Sequence, residues 1–324
     1  MVKRRARIVV TRRIPEPALE VLRQAGETWV SPHDRPLETA ELYGAVAGAD
    51  AVVALLHDRI DDGLLEAAGE QLAVVANVAV GYDNVDVAAC TRRGVRVTNT
   101  PGVLTEATAD LAIALVLMAT RRLGESERLI RGGTPWSWHM FFQLGTGVQG
   151  KTFGVVGLGQ IGRATARRAR AFGMKVVYSG RRRADADVEA ELDARHVSFA
   201  ELLTTADVVS LHCPLTAETR HLVDAAALAR MKPTAFLINT TRGPVVDEAA
   251  LVDALRDAVI AGAGLDVYEH EPAVHPGLLE LENVVLLPHL GSATVETRTA
   301  MAVLAARNVV AVLAGGEPLT PVPA

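Results

Sequence analysis

Short β-branched runs alternate with longer Ala-, Leu- and Arg-rich stretches from one end of the chain to the other, and few folds admit that pattern. The first series is Arg7–Thr11, Ala51–Leu55, Val74–Val78 and Val95–Thr98. A second runs through Thr152–Val156, Lys175–Tyr178, Val208–Leu211, Ala235–Asn239, Gly262–Leu265 and Val284–Leu287. Strands that alternate with helices in this way build βαβ units on a parallel sheet. The expected fold class is therefore α/β, with two doubly wound parallel-sheet domains. The six strands of the second series are the number expected of a complete dinucleotide-binding sheet. At 324 residues and roughly 150 per domain, the chain has room for both.

Between the two series, Pro101 to Gly150 contains an apolar helical pattern, Val103 to Arg121, with too little charge for a free surface. It is expected to pack between domains or subunits. After Pro288, Ser292 through Leu313 reads as one long helix ahead of a Pro-rich tail, Pro318 to Ala324. If that helix returns to the first domain, residues 1–101 plus 293–324 form one domain around a contiguous second one, 102–292.

Composition removes several function classes. The chain has 33 Lys and Arg against 38 Asp and Glu, a net charge of −5. With a pI near 6.0, nucleic acid is not expected as a principal partner, because phosphate binding wants a basic excess. The cluster Lys3, Arg4, Arg5 and Arg7 reads as a solvated flank. Cys90 and Cys213 lack CxxC spacing and imply neither a disulfide framework nor a thiolate metal site; no metal is expected. The longest apolar run, Leu111 to Ala119, falls short of the ~18 residues of a membrane span, and no apolar segment follows the basic start. A cytoplasmic location is expected.

The strand pattern Thr152–Val156 runs straight into Gly157-Leu158-Gly159-Gln160-Ile161-Gly162, which opens a helical pattern continuing to Phe172. A lone GxGxxG says little. Between a strand and a helix, each glycine has its own role, with a tight turn at Gly157, close backbone approach to a pyrophosphate at Gly159, and helix–sheet contact at Gly162. The helix N-terminus then faces the phosphates. The next strand should end near the adenosine ribose, where an acid would select the unphosphorylated cofactor. Here the sequence reads Ser179-Gly180-Arg181-Arg182-Arg183. Arginines can fork onto a 2′-phosphate that no carboxylate repels, so NADP(H) is expected as the preferred cofactor, with NAD(H) still admitted.

Three more segments follow strands of the same series, where an open α/β sheet places its ligand crevice. They are Asn239-Thr240-Thr241-Arg242-Gly243, Gly264 to Pro272, and Pro288 to Thr294. They bring Arg242, Glu271 and His289. An arginine can hold a carboxylate bidentately, and a histidine paired with a carboxylate can act as a general acid or base.

These residues carry a resemblance that spans essentially the whole chain. Val80-Gly81-Tyr82-Asp83-Asn84, the glycine loop, Cys213 to Thr216, Thr241 to Gly243, Gly264 to Val267, Glu271-Pro272 and Pro288 to Ala293 together resemble the D-2-hydroxyacid dehydrogenase family. Trp136-Ser137-Trp138, Gly145 and Tyr178 to Arg181 are most similar to its glyoxylate/hydroxypyruvate reductases. The resemblance implies a Rossmann dinucleotide-binding domain beside a smaller, flavodoxin-like substrate domain. It also implies roles. Arg242 would bind the substrate carboxylate and 2-oxo group, His289 would donate the proton, and Glu271 would orient and charge-stabilise His289. Backbone N–H groups near Val80 and Gly81 would cradle the substrate carboxylate. Asp266 would contact the nicotinamide amide; Thr105, Pro214, Thr240, Thr241 and Gly291 would line the cofactor cleft. Trp138 matches a residue that in related reductases reaches a partner subunit's site, which implies a homodimer. The activity implied is reduction of a small 2-oxo acid, glyoxylate or hydroxypyruvate, to glycolate or D-glycerate. Two other readings stay open: a dehydrogenase for another 2-hydroxy acid or an anion such as phosphite, and a binding protein switched by cofactor occupancy.

Overall fold

The computed structural model describes residues 4–323; Lys3 of the basic flank and Ala324 of the tail lie outside them. The chain divides into two compact units, one formed by the residues up to Leu104 together with those from Ser292 onward, the other by Thr105–Gly291. Strands are β1 (Ala6–Val10), β2 (Gly26–Val30), β3 (Ala51–Ala54), β4 (Val74–Asn77), β5 (Arg96–Thr98), β6 (Thr152–Val156), β7 (Lys175–Ser179), β8 (Ala194–His196), β9 (Val208–Leu211), β10 (Phe236–Asn239), β11 (Gly262–Leu265) and β12 (Val284–Leu286).

In the first unit, five strands pair in parallel in the order β2-β1-β3-β4-β5, the flavodoxin-like order. Its central strands are buried along their whole length, as a sheet covered on both faces requires. The helix Val295–Leu313 packs on this sheet and on the helix Glu16–Ala25. It starts at Thr294, whose hydroxyl accepts the Thr297 N–H at 3.1 Å. The basic flank is spent locally: Arg4 pairs with Asp50 at 2.7 Å, and Arg5 and Arg7 donate to the carbonyls of Arg23 and Ala45.

The second unit has seven parallel strands in the order β12-β11-β10-β9-β6-β7-β8. The expected count was six. The strand absent from that count is β8, a three-residue edge strand, Ala-Arg-His, with one buried position and hence no apolar run to betray it. Edge strand β2 was missed for the same reason: Gly26-Glu27-Thr28-Trp29-Val30 buries only its first residue. Two apolar clusters, one including Leu202, Leu237 and Leu251 and the other Phe153, Tyr178 and Ile238, form the core of this unit.

The apolar helix is Thr105–Thr120. It lies on the cofactor-type sheet of its own unit, against β10, β11, β12 and the helix Gln160–Ala171. Ile113, Leu115 and Val116 enter that unit's core. Its low charge reflects burial in this sheet.

Candidate active site

The turn after β6 is built as the glycines demand. Gly157 has φ of +96°, and a Cβ there would lie 2.8 Å from the Cys213 nitrogen. At Gly162 a Cβ would sit 2.3 Å from the Gly157 carbonyl oxygen, so the helix can start only if this residue lacks a side chain. Gly159 differs: it caps the helix Gln160–Ala171 with an ordinary φ of −77°, and an added Cβ would meet nothing within 4 Å. Nothing among the described residues requires that glycine. A ligand at the helix end would, and no side chain caps that end among the described residues. Thr240, after β10, adds a buried hydroxyl oxygen with no hydrogen-bond partner among the described residues. An empty glycine notch, uncapped amides and an orphaned hydroxyl fit a dinucleotide.

Around this cradle, Thr105 places its hydroxyl 3.5 Å from the Gln160 side-chain oxygen, and Pro214 is exposed after β9. The Thr241 hydroxyl donates to the Cys213 carbonyl at 2.5 Å, which ties the loops after β9 and β10 together. Gly180, Arg181 and Arg182 are exposed just past β7, whereas Arg183 is committed to Glu189 at 2.8 Å. The Thr216 hydroxyl, and at longer range Arg181, hold the Glu218 carboxyl below the usual carboxylate range.

The three chemistry-bearing side chains follow the carboxyl ends of three adjacent strands, β10, β11 and β12. Asn239, 1% exposed, shapes the first loop: its amide nitrogen donates to the Arg242 carbonyl at 3.0 Å, and its oxygen accepts the Thr241 N–H at 3.1 Å. Arg242 itself is half-buried, with one guanidinium nitrogen on the Thr241 carbonyl at 2.9 Å. Glu271 is held at both oxygens. One accepts the Tyr268 N–H at 3.0 Å, and the other lies 2.8 Å from His289 Nδ1.

His289 occupies the left-handed region, with φ of +55°, which costs a non-glycine residue roughly 1 kcal/mol. Asp266 offsets this. Its carbonyl accepts the His289 N–H at 2.8 Å, and its carboxylate accepts those of Leu290 and Gly291 at 2.6 and 2.8 Å. Burial pushes this carboxyl above its usual range, and the residue is 1% exposed. The role visible for Asp266 is thus to fix the histidine loop. Gly291 also accepts, through its carbonyl, the Thr108 hydroxyl at 3.0 Å.

Val80 and Gly81 lie past β4 in the first unit, with their carbonyls bound by the side-chain amides of Asn99 and Asn77 at 2.8 and 2.9 Å. His212 and His221 bind neighbours: His212 lies 2.8 Å from the Ser210 hydroxyl, and His221 2.6 Å from Glu269. No group of three or more His, Cys, Asp or Glu among the described residues could hold a metal, and no helix there is long and apolar enough to cross a membrane.

The profile of the D-isomer specific 2-hydroxyacid dehydrogenase family, NAD binding domain, matches residues 113–291. The chain belongs to this family. A glyoxylate reductase of Thermococcus litoralis is 47% identical over 319 residues, 96% of this chain and 95% of the relative. Among solved structures, a Thermus thermophilus protein superposes with a TM-score of 0.91 at 46% identity, covering 98% of this chain and 100% of that one. An NADPH-dependent glyoxylate/hydroxypyruvate reductase from Sinorhizobium meliloti, solved with NADP and malonate, gives 0.83 at 39% identity, covering 98% and 97%. The dehydrogenase is thus an oxidoreductase with a nicotinamide-dinucleotide domain.

The residues that sequence reasoning missed here are supporting ones, chiefly Asn239 and Glu248. Asn239 ends a strand and stands at the head of the Arg242 segment, but its burial under the Arg242 loop leaves no mark in one sequence.

Proposed function

We propose that this dehydrogenase reduces glyoxylate or hydroxypyruvate to glycolate or D-glycerate, with NADPH as the preferred donor and NADH accepted less well. The observation that carries the reading is the Glu271–His289 pair, 2.8 Å apart, on the same sheet edge as Arg242 and the glycine cradle. The naming of relatives at 47% identity as glyoxylate reductases supports the substrate.

When bound, the nicotinamide supplies a hydride to the substrate's carbonyl carbon. Negative charge then develops on the carbonyl oxygen. His289 meets it with a proton at Nε2, since Nδ1 faces Glu271. Because the Tyr268 N–H holds the other Glu271 oxygen, the carboxylate keeps the ring oriented and stabilises positive charge on it. The Arg242 guanidinium binds the substrate carboxylate in its fork and adds positive charge near the developing oxyanion. In the oxidative direction the neutral imidazole takes the hydroxyl proton. Exposed Arg181 and Arg182, with no acid at the end of β7, support the choice of the 2′-phosphorylated cofactor.

We also infer a homodimer: Trp136, Trp138, Met140, Phe141 and Leu144 are all more than half exposed within one short segment, a clustering of exposed apolar side chains that suits an interaction surface.

The deciding experiment follows NADPH and NADH oxidation by absorbance with glyoxylate, hydroxypyruvate, pyruvate and a branched 2-oxo acid in parallel. Fast turnover of either of the first two with NADPH is expected. Tight NADPH binding without turnover of any acid would replace this reading with that of a cofactor-switched binding protein.

A further inference from the structure

One buried acid near the site has no part in the chemistry above. Glu248, 5% exposed, is the first residue of the helix Glu248–Arg256, six positions past Arg242. An acid at a helix start needs no burial to meet the helix dipole, and a buried carboxylate is costly unless hydrogen bonds compensate it. This one accepts the backbone N–H of Glu269 at 2.5 Å. Glu269 lies in the turn that carries Glu271.

Other contacts converge on the same turn. The Gly243 backbone lies so close under Tyr268 that an added Cβ would be 1.8 Å from its carbonyl. The Glu269 carboxylate takes His221 at 2.6 Å and Arg220 at 3.1 Å. The His221 N–H donates to the Pro244 carbonyl at 2.8 Å, and that of Asp247 to the Val223 carbonyl at 3.1 Å. Segments 220–224, 242–248 and 268–271 are thus laced together, and Glu248 adds a side-chain hydrogen bond from the Arg242 segment to the backbone of the Glu271 turn.

We propose that Glu248 is a positioning residue: its carboxylate locks the Arg242 loop and the Glu271 turn into one body, so that Glu271 stays against His289. The proposal rests on the dehydrogenase reading. Burial holds the Glu248 carboxyl above the usual range, and the ionisable groups facing it are Glu269, His275 and His270. Those facing His289 are Glu271 and, through the loop, Asp266.

The test uses the full-length protein with histidine-selective 13C labelling, the His289 signal being assigned by its loss in His289→Gln. The His289 ring chemical shifts at one fixed pH, kcat, KM and NADPH affinity are compared in wild type, Glu248→Ala, Glu248→Gln and Glu248→Asp. Loss of the acceptor in Glu248→Ala should lower kcat about 10–100-fold, as misplacement of a catalytic group by about an ångström does, with NADPH affinity within about twofold. The His289 ring signals should move from their wild-type positions as its carboxylate partner loosens. Glu248→Gln, which keeps a carbonyl acceptor, should restore both. Wild-type kcat and His289 ring shifts in a folded Glu248→Ala would overturn the proposal, as would Glu248→Gln being as impaired as the alanine variant. Should Glu248→Ala not fold, Glu248→Asp carries the test, since its acceptor is withdrawn by one methylene; wild-type behaviour there overturns the proposal. Absence of 2-oxo acid reduction by wild type would sink the functional reading alone, because the His289 ring shifts judge Glu248 without turnover.

Discussion

Arg242, Glu271 and His289 are chemically ordinary side chains whose value here comes from how their neighbours restrict them. Tyr268 fixes one oxygen of Glu271, Glu271 fixes one nitrogen of His289, and Asp266 holds the histidine's backbone in a left-handed turn. If His289 is the proton donor, His289→Ala should cut turnover by ~10²–10⁴ while NADPH affinity, read by fluorescence titration, stays nearly constant. Arg242→Ala should raise KM and lower kcat together in steady-state assays, because its charge serves both the bound carboxylate and the developing oxyanion. A third prediction concerns His212, beside the Gly157 turn, whose burial pushes its imidazole from the usual 6.5 down to about 4. Since the folded form resists protonation, its contribution to stability is full above pH 6.5 and is lost as pH falls toward 4. Thermal melts across that window should therefore flatten in His212→Gln relative to wild type. At this scale the sequence was informative about the ligand-facing residues, which carry their chemistry openly. It was silent on Glu248 and Asn239, because an acid at a helix start reads as a dipole complement and only the fold reveals that it is buried.

At the scale of elements, the glycine loop separates what the fold needs from what the cofactor needs. Gly162→Ala forces a Cβ to 2.3 Å from the Gly157 carbonyl and should cost about 1–3 kcal/mol of stability, visible as a lowered Tm. Gly159→Ala meets open space and an ordinary φ, so its Tm should match wild type. Its NADPH Kd should nonetheless rise about tenfold or more, because the methyl group enters the notch where a pyrophosphate must approach the backbone. An unchanged Kd would detach the notch from the cofactor. The same contrast explains which elements could be read in advance. β6, β9 and β11 lie inside the sheet and are continuous apolar or small-residue runs; β2 and β8 are edge strands that fully bury one residue each and carry no apolar run, whereas edge strand β5 buries two of its three residues and edge strand β12 is wholly apolar. The apolar pattern of the helix Thr105–Thr120 was legible, but the sheet it lies on was not, because an apolar face states that something covers it and leaves open what does.

For the molecule as a whole, the feature least explained by a single chain is the exposed segment that contains Trp138, 76% exposed, and Phe141, 77% exposed. It is stiffened locally by stacking of Trp136 on Phe142, ring centroids 5.9 Å apart, so the apolar surface is presented in a defined shape. A second copy of the chain is the proposed cover, and in sedimentation equilibrium the protein should weigh about twice its 34.4 kDa chain mass. Phe141→Glu places a charge that a dry interface cannot solvate and should shift that mass toward the monomer. Trp138→Ala discriminates further. If the indole only seals the interface, the variant should weaken association and leave KM of the remaining dimer unchanged; if it reaches the partner's substrate site, KM for glyoxylate should rise severalfold at protein concentrations where sedimentation still finds the dimer. A wild-type protein that sediments as a monomer across the micromolar range would remove the dimer and leave the segment without a cover.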